Sequence, residues 1–355
     1  MVEITLIQPA SNEGNATPQR VAKAGCRCTI QSSLADQSQD SVTRRIRRYP
    51  RSWGTVLEDV VSITTGDFRA KITASTLQEK KQRQEIITCL TAYDYAGARL
   101  VDEAGIDMVL VGDSLGMVML GYENTLPVSM QEMLHHTRAV RRGVKHAFLV
   151  ADMPFSSYHI SQRESLRNAA RFIKEAGAEA VKIEGGEKRS RLIGRLVEAE
   201  IPVVGHIGLT PQSVHAMGGY KVQGKTLQAI EQLMHDAIAV QRAGACCVVL
   251  EGIPREVATM ITSELEIPTI GIGAGPECDG QVLVFHDLLG LTFSPPAKFV
   301  RRYAEVGSVI TNALLAFKDD VKSGGYPADA ESYHLPKETL AALETIAERK
   351  QAVQL

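Results

Sequence analysis

The chain has 355 residues, 44% hydrophobic, 23% charged and 5% aromatic, an ordinary globular composition that excludes collagen-like and wholly disordered classes. Lys and Arg number 39 against 41 Asp and Glu, a net charge of −2, so the basic excess of a nucleic-acid binder is missing. No apolar run approaches the roughly 18 residues that a membrane span needs. Six cysteines make no disulfide framework in a chain this long. Cys89, Cys246, Cys247 and Cys278 fall in or beside apolar runs and read as buried thiols of a reducing compartment, the cytoplasm.

Residues 1–70 hold nine Lys/Arg and seven Asp/Glu, with Arg44, Arg45, Arg47, Arg48 and Arg51 close together, and carry no sustained apolar periodicity. They read as a disordered extension. The alternative is an Arg- and Ser-rich organellar leader, against which stand Glu3, Glu13, Asp36 and Asp40. From residue 76 a phrase recurs: an amphipathic run ending in Ala-Gly, then an apolar run. It appears at Ala104-Gly105 before Met108–Val111, at Ala176-Gly177 before Ala180–Ile183, and at Ala243-Gly244 before Cys246–Leu250. Pro202 and Pro268 punctuate two further runs. Glycine ends a helix by taking the left-handed conformation, and proline enters a strand at its first residue. Leu166, Ala169/Ala170, Ile173 and Ala176 form one helical stripe, and Ile230, Leu233/Met234 and Ala237/Ile238 another.

The short apolar runs predict eight strands, near 86–93, 107–112, 147–152, 180–184, 202–206, 246–251, 268–272 and 281–285. Runs of this kind suit a parallel sheet covered on both faces. Eight βα units point to a (β/α)8 barrel of about 250 residues, expected over 71–335, in preference to an open doubly wound sheet. Residues 299–355 are expected to give a closing helix and, over 336–355, a helical tail.

In such a barrel the chemistry sits at the C-terminal strand ends. There the sequence places Asp113-Ser114, Asp152, Lys182 with Glu184, His206 and Glu251. Each has a plainer reading. Asp113 could cap the next helix, Lys182 and Glu184 share a strand face and could be a structural ion pair, and His206 could be a satisfied core histidine. Glu251, ending a buried strand, needs a partner or a function. Taken together they suit metal-assisted enolate chemistry. Carboxylates from two or three strands make a hard-cation site, for which Mg²⁺ is the better match because it keeps waters and leaves positions for substrate oxygens. A 2-oxo acid could chelate there, Lys182 could face the developing oxyanion, and Glu251, away from the metal, could act as base on the adjacent carbon. The glycine run Gly271–Gly275 is either a phosphate loop or a tight connection.

The sequence resembles the ketopantoate hydroxymethyltransferase family. The matching stretches are Thr91-Ala-Tyr-Asp-Tyr95, Val111-Gly-Asp-Ser-Leu-Gly116, Thr125-Leu-Pro-Val128, Ala151-Asp-Met-Pro-Phe155, Val181-Lys-Ile-Glu-Gly-Gly186, Gly205-His-Ile-Gly-Leu-Thr-Pro-Gln212, Gly218-Gly-Tyr-Lys-Val-Gln-Gly224, Leu250-Glu251, Ile270-Gly-Ile-Gly-Ala-Gly275 and Asp279-Gly-Gln281, in family order across about 76–335. The resemblance implies a barrel of the phosphoenolpyruvate/pyruvate type. It implies Mg²⁺ held through Asp113, Asp152 and Glu184, substrate contacts from Asp113, Ser114, Asp152 and Lys182, and Glu251 as proton acceptor, with His206 in support. It also implies a cytoplasmic homodecamer that moves a hydroxymethyl group from 5,10-methylenetetrahydrofolate to 3-methyl-2-oxobutanoate, giving 2-dehydropantoate, the first committed step of pantothenate synthesis. Related lyases and mutases of 2-oxo acids typically carry a catalytic cysteine after strand four; here Gly185–Ser190 has none. A non-catalytic scaffold predicts erosion of the rim carboxylates, and all are in place.

Overall fold

The computed structural model describes residues 69–343 and Ile346. The extension expected over 1–70 therefore lies outside the described residues but for its last two, and so do residues 344–345 and 347–355 of the tail. All eight strands are present: β1 Ile87–Thr91, β2 Met108–Val111, β3 Phe148–Asp152, β4 Ala180–Glu184, β5 Val203–Gly208, β6 Cys247–Glu251, β7 Thr269–Ile272 and β8 Gly280–Leu283. Each pairs in parallel with the next, and β8 pairs with β1, closing the barrel. Between and around them lie α1 Ala74–Gln82, α2 Tyr95–Glu103, α3 Leu115–Val118, α4 Met130–Gly143, α5 Gln162–Ala176, α6 Glu187–Glu198, α7 Val214–Met217, α8 Leu227–Arg242, α9 Arg255–Glu264, α10 Phe285–Leu288 and α11 Val306–Ser323.

Local chemistry explains where the helices begin and end. Asp94, Ser129, Ser161 and Thr226 cap α2, α4, α5 and α8 by accepting from the backbone N–H three residues on, each satisfying one otherwise orphaned donor. The Ala-Gly phrase works as its sequence suggests: Gly105, Gly177 and Gly244 all take positive φ. The helical stripes differ slightly from expectation. On α5 the buried line runs through Ala169, Phe172 and Ala176, with Leu166 and Ile173 at its margin. The glycine run after β7 is a tight connection that leads into β8 with no helix between. A Cβ on Gly273 would meet the Phe299 ring at 2.7 Å, and one on Gly275 would meet Arg255.

One core fills the barrel and another lies between the sheet and its helices. The helix α1 closes the N-terminal end of the barrel. Its Leu77 is fully buried against the interior cluster of Ile87, Cys89, Met108, Phe148 and Ile270. Two successive lysines anchor it on opposite sides of β1. Lys80 reaches Asp107 at 2.9 Å and Lys81 reaches Asp279 at 2.7 Å. Each carboxylate also binds the backbone N–H and hydroxyl of a threonine in the adjoining strand, Thr88 and Thr269. Cys89, Cys247 and Cys278 are buried and Cys246 is half-buried, all as free thiols.

The closing helix expected after β8 does form, as α11, but it does not complete the ring. It buries none of its residues, and Val309, Leu314 and Phe317 are each more than half exposed. Its start is tied back onto the end of α10, through Tyr303 N–H to Leu288 O and Val306 N–H to Leu289 O.

Leu77→Ala removes the plug of the barrel floor and is expected to lower the free energy of unfolding by about 2–5 kcal/mol, read by denaturant titration. A loss below about 1 kcal/mol would show that α1 does not close the interior.

Candidate active site

Strand register brings the site together. Side chains alternate across a strand, and the residues facing the interior include Val150, Ala180, Val204 and Val249. Two positions further along the same faces come Asp152, Lys182, His206 and Glu251, with Glu184 two beyond Lys182. Register then sets Asp152 beside Lys182 and Glu184 beside His206. Asp113 and Ser114 follow the end of β2 directly. All seven sequence-derived residues line one cavity of about 730 Å³ at the C-terminal mouth of the barrel.

The contacts settle several of the alternatives. Asp113 does not cap α3 with its side chain; its carboxylate Oδ2 accepts from Gln212 Nε2 at 2.8 Å, while its backbone N–H donates to Asp152 Oδ2 at 3.0 Å. Lys182 pairs not with Glu184 but with Asp152, Nζ to Oδ1 at 3.0 Å. His206 lies between two glutamates, with Nδ1 at 3.4 Å from Glu184 Oε1 and Nε2 at 3.1 Å from Glu251 Oε2. Its Nδ1 is also 3.3 Å from Lys182 Nζ. Neither Asp152 Oδ1 nor His206 Nε2 has an aligned hydrogen-bond partner, so these are contacts of charge more than of directed bonding. The hydroxyl of Ser114 is 2.8 Å from the buried Tyr93 hydroxyl.

Electrostatics follow from burial. Asp113, Asp152, Glu184, Lys182 and His206 are all nearly inaccessible, whereas the Glu251 side chain is 16% exposed toward the cavity. Burial, with Asp152 and Glu184 nearby, pushes the Asp113 carboxyl up to about 8. Burial also raises Asp152, against the pull of Lys182. For Lys182 burial opposes the charge, yet Asp152, Glu184 and Asp113 together keep the ammonium protonated. Burial and Lys182 both oppose a charge on His206, but its contacts with Glu184 and Glu251 carry it to about 9. Four carboxylates thus face two cationic groups, and a buried carboxylate without a partner is costly.

Reading strand ends alone misses the residues that hold these groups from behind. Tyr158 and Gln212 follow β3 and β5 and bond to each other; Gln212 also donates to the Asp113 and Glu184 carboxylates, and the Tyr158 hydroxyl accepts from the Glu184 backbone N–H. Tyr93 follows β1. Tyr93 and Gln212 stand inside motifs quoted above, with no periodicity to mark them as buried, and Tyr158 lies beyond the Ala151–Phe155 motif with no signal at all.

The family model for ketopantoate hydroxymethyltransferase matches residues 71–329. A 3-methyl-2-oxobutanoate hydroxymethyltransferase from Koribacter versatilis (strain Ellin345) is 73% identical over 294 residues, covering 83% of this chain and all of that protein. Proteins of the same name from Syntrophomonas wolfei and Pelobacter propionicus are 54% and 56% identical, covering 77% and 76% of this chain and 99% of each relative. Among solved structures, a phosphonopyruvate hydrolase complex with oxalate and Mg²⁺ aligns with 80% of this chain and 98% of its own at a TM-score of 0.49 and 14% identity. With its family's model spanning the barrel and relatives of one name matched almost end to end, the chain belongs to the ketopantoate hydroxymethyltransferase family of enzymes.

Proposed function

We propose that this chain transfers a hydroxymethyl group from 5,10-methylenetetrahydrofolate to 3-methyl-2-oxobutanoate, giving 2-dehydropantoate and tetrahydrofolate, the first step toward pantothenate and coenzyme A. The observation that carries the reading is the surplus of buried carboxylate at one rim, with a further glutamate turned toward the same cavity.

The surplus fits a divalent cation. Asp152 Oδ1 is buried with only the Lys182 ammonium beside it and no aligned hydrogen bond, and Asp113, Asp152 and Glu184 are held together out of water, where a further cation would offset their charge. Among the described residues no three His, Cys, Asp or Glu side chains close on one point as a ready-made cage. Mg²⁺ is suited to such an open arrangement, since it binds through one or two carboxylates and takes its other oxygens from water and substrate. Asp113, Asp152 and Glu184, which all line the cavity, would hold it. When bound it supplies Lewis acidity toward the keto and carboxylate oxygens of the oxo acid.

The chain's own residues do the rest. Ser114 and Lys182 orient the oxo acid, and the Lys182 ammonium faces the oxygen on which enolate charge develops. Glu251 removes the proton from C3. His206, held between Glu184 and Glu251, keeps that carboxylate aimed across the cavity. Water hydrolyses the methylene bridge of the folate: both of its C–N bonds break, the two water protons go to the two nitrogens, and the water oxygen stays on the carbon as formaldehyde. The carbon left nucleophilic bonds to that carbon, and the oxygen takes up the proton held by Glu251 to become the hydroxyl of the product. The cavity is far larger than a five-carbon acid needs, and its outer wall of Met117, Tyr122, Tyr220, Phe293 and Phe299 suits a flat aromatic co-substrate.

We also propose a homo-oligomer, a homodecamer on the family pattern. The exposed apolar side chains of α11 support it, because a contiguous patch of this kind marks an association surface. The free thiols go with a cytoplasmic setting, and among the described residues no helix is long and apolar enough to cross a membrane.

Glu251→Gln is expected to slow C3 hydrogen–deuterium exchange in 3-methyl-2-oxobutanoate by about 10²- to 10⁴-fold, followed by NMR in D₂O, while Mg²⁺-dependent binding of the oxo acid persists. Exchange at the wild-type rate would remove Glu251 from the base role. In light scattering, Leu314→Asp combined with Phe317→Asp is expected to give a smaller assembly than the wild type; an unchanged mass would show that α11 takes no part in association.

A further inference from the structure

We propose that Gln212 is the positioning residue that fixes two of the cation-facing carboxylates, Asp113 and Glu184, relative to one another, with Tyr158 locking its amide in the orientation this requires. The inference deepens the Mg²⁺-dependent reading above and rests on it.

Gln212 sits in the short turn Pro211–Ser213 just after β5 and is 6% exposed. It does not line the cavity, so it can act only through its neighbours. Its side-chain Nε2 donates to Asp113 Oδ2 at 2.8 Å and to Met153 O at 3.0 Å. Its backbone N–H donates to Glu184 Oε2 at 3.0 Å. Its Oε1 accepts from the Tyr158 hydroxyl at 2.6 Å. One residue after β5 therefore ties down groups at the ends of β2, β3 and β4.

A primary amide has two N–H donors and one carbonyl acceptor, and here every one is used. Which way the amide points is not left to chance. The Tyr158 oxygen already accepts from the Glu184 backbone N–H at 3.2 Å, so its own hydrogen is directed at Gln212 Oε1. Reversing the amide would set its carbonyl against the Met153 carbonyl, an acceptor with no proton to offer, and its N–H groups against the Tyr158 hydroxyl hydrogen. Barrel hydrogen bonding fixes the backbone of each strand but not the rotamer of a carboxylate that projects from its end. Groups behind a metal ligand supply that second constraint, and losing one typically costs 10- to 100-fold in metal affinity.

The test uses the full chain, stripped of metal, titrated with Mn²⁺ alone and read by the electron paramagnetic resonance signal of the free ion. Mn²⁺ shares the oxygen preference of Mg²⁺. Gln212→Met keeps the side-chain length and the backbone bond to Glu184 but loses every amide contact, and is expected to weaken Mn²⁺ binding by about 10- to 100-fold with little change in Tm. Tyr158→Phe is expected to weaken it by about 3- to 10-fold, the worth of one neutral hydrogen bond. The double variant should lose clearly less than the product of the two single losses, because Tyr158 acts mainly through the amide, its other bond being to the Glu184 backbone. Wild-type affinity in Gln212→Met, or independent losses that multiply in the double variant, would overturn the proposal. Should Gln212→Met fail to fold, wild-type affinity in Tyr158→Phe would overturn it by itself. If the wild-type chain binds no Mn²⁺, the metal-dependent reading falls and takes this inference with it; if the wild type binds and the variants match it, only the inference falls.

Discussion

Charge held out of water at the mouth of the barrel is the constraint on which the rest of the structure depends. Taking an ionised side chain into a protein interior costs several kcal/mol unless partners replace the lost water. Here Asp113, Asp152 and Glu184 are buried together, and Lys182 and His206 offset only part of their charge. A fold that sought only stability would place apolar residues there, as it does one step deeper with Val150, Ala180, Val204 and Val249. The same strand faces thus change from packing to chemistry within one residue pair.

Closure of the barrel makes this possible. Because every strand is parallel and paired on both sides, its end projects a side chain at a defined height, and the register between neighbours decides which groups meet. Asp152 meets Lys182 and Glu184 meets His206 because their backbones are partners. At the opposite end, α1 with Leu77, Lys80 and Lys81 seals the interior. Stability and chemistry are therefore separated along the barrel axis. Gly208 shows how tight the upper end is: with φ near +93°, a Cβ there would come within 2.3 Å of the Glu251 carbonyl oxygen, so β5 and β6 approach closely just where Glu251 turns into the cavity.

Much of this was legible in the residues. The strands could be found because their apolar runs are short and follow a Gly or Pro, and the rim residues because a charged side chain closing an apolar run is conspicuous. Which of them pair was not legible. Lys182 and Glu184 lie two apart and look like partners, yet each bonds to a neighbouring strand, since residues on one strand face project side by side and register supplies nearer atoms. Gln212 and Tyr158 stayed hidden because neither lies in a periodic run. The exposure of α11 was also beyond reach: its apolar side chains call for cover, but do not say by which surface.

The account's central claim is that the buried carboxylates bind a divalent cation on which the oxo acid is set before Glu251. Anomalous diffraction from crystals of the protein with Mn²⁺ and 3-methyl-2-oxobutanoate tests it directly. The account predicts a single strong peak about 2.0–2.2 Å from carboxylate oxygens of Asp113 and Asp152, with C3 of the oxo acid turned to Glu251. A cavity that takes up the oxo acid with no metal peak beside those two carboxylates would contradict it.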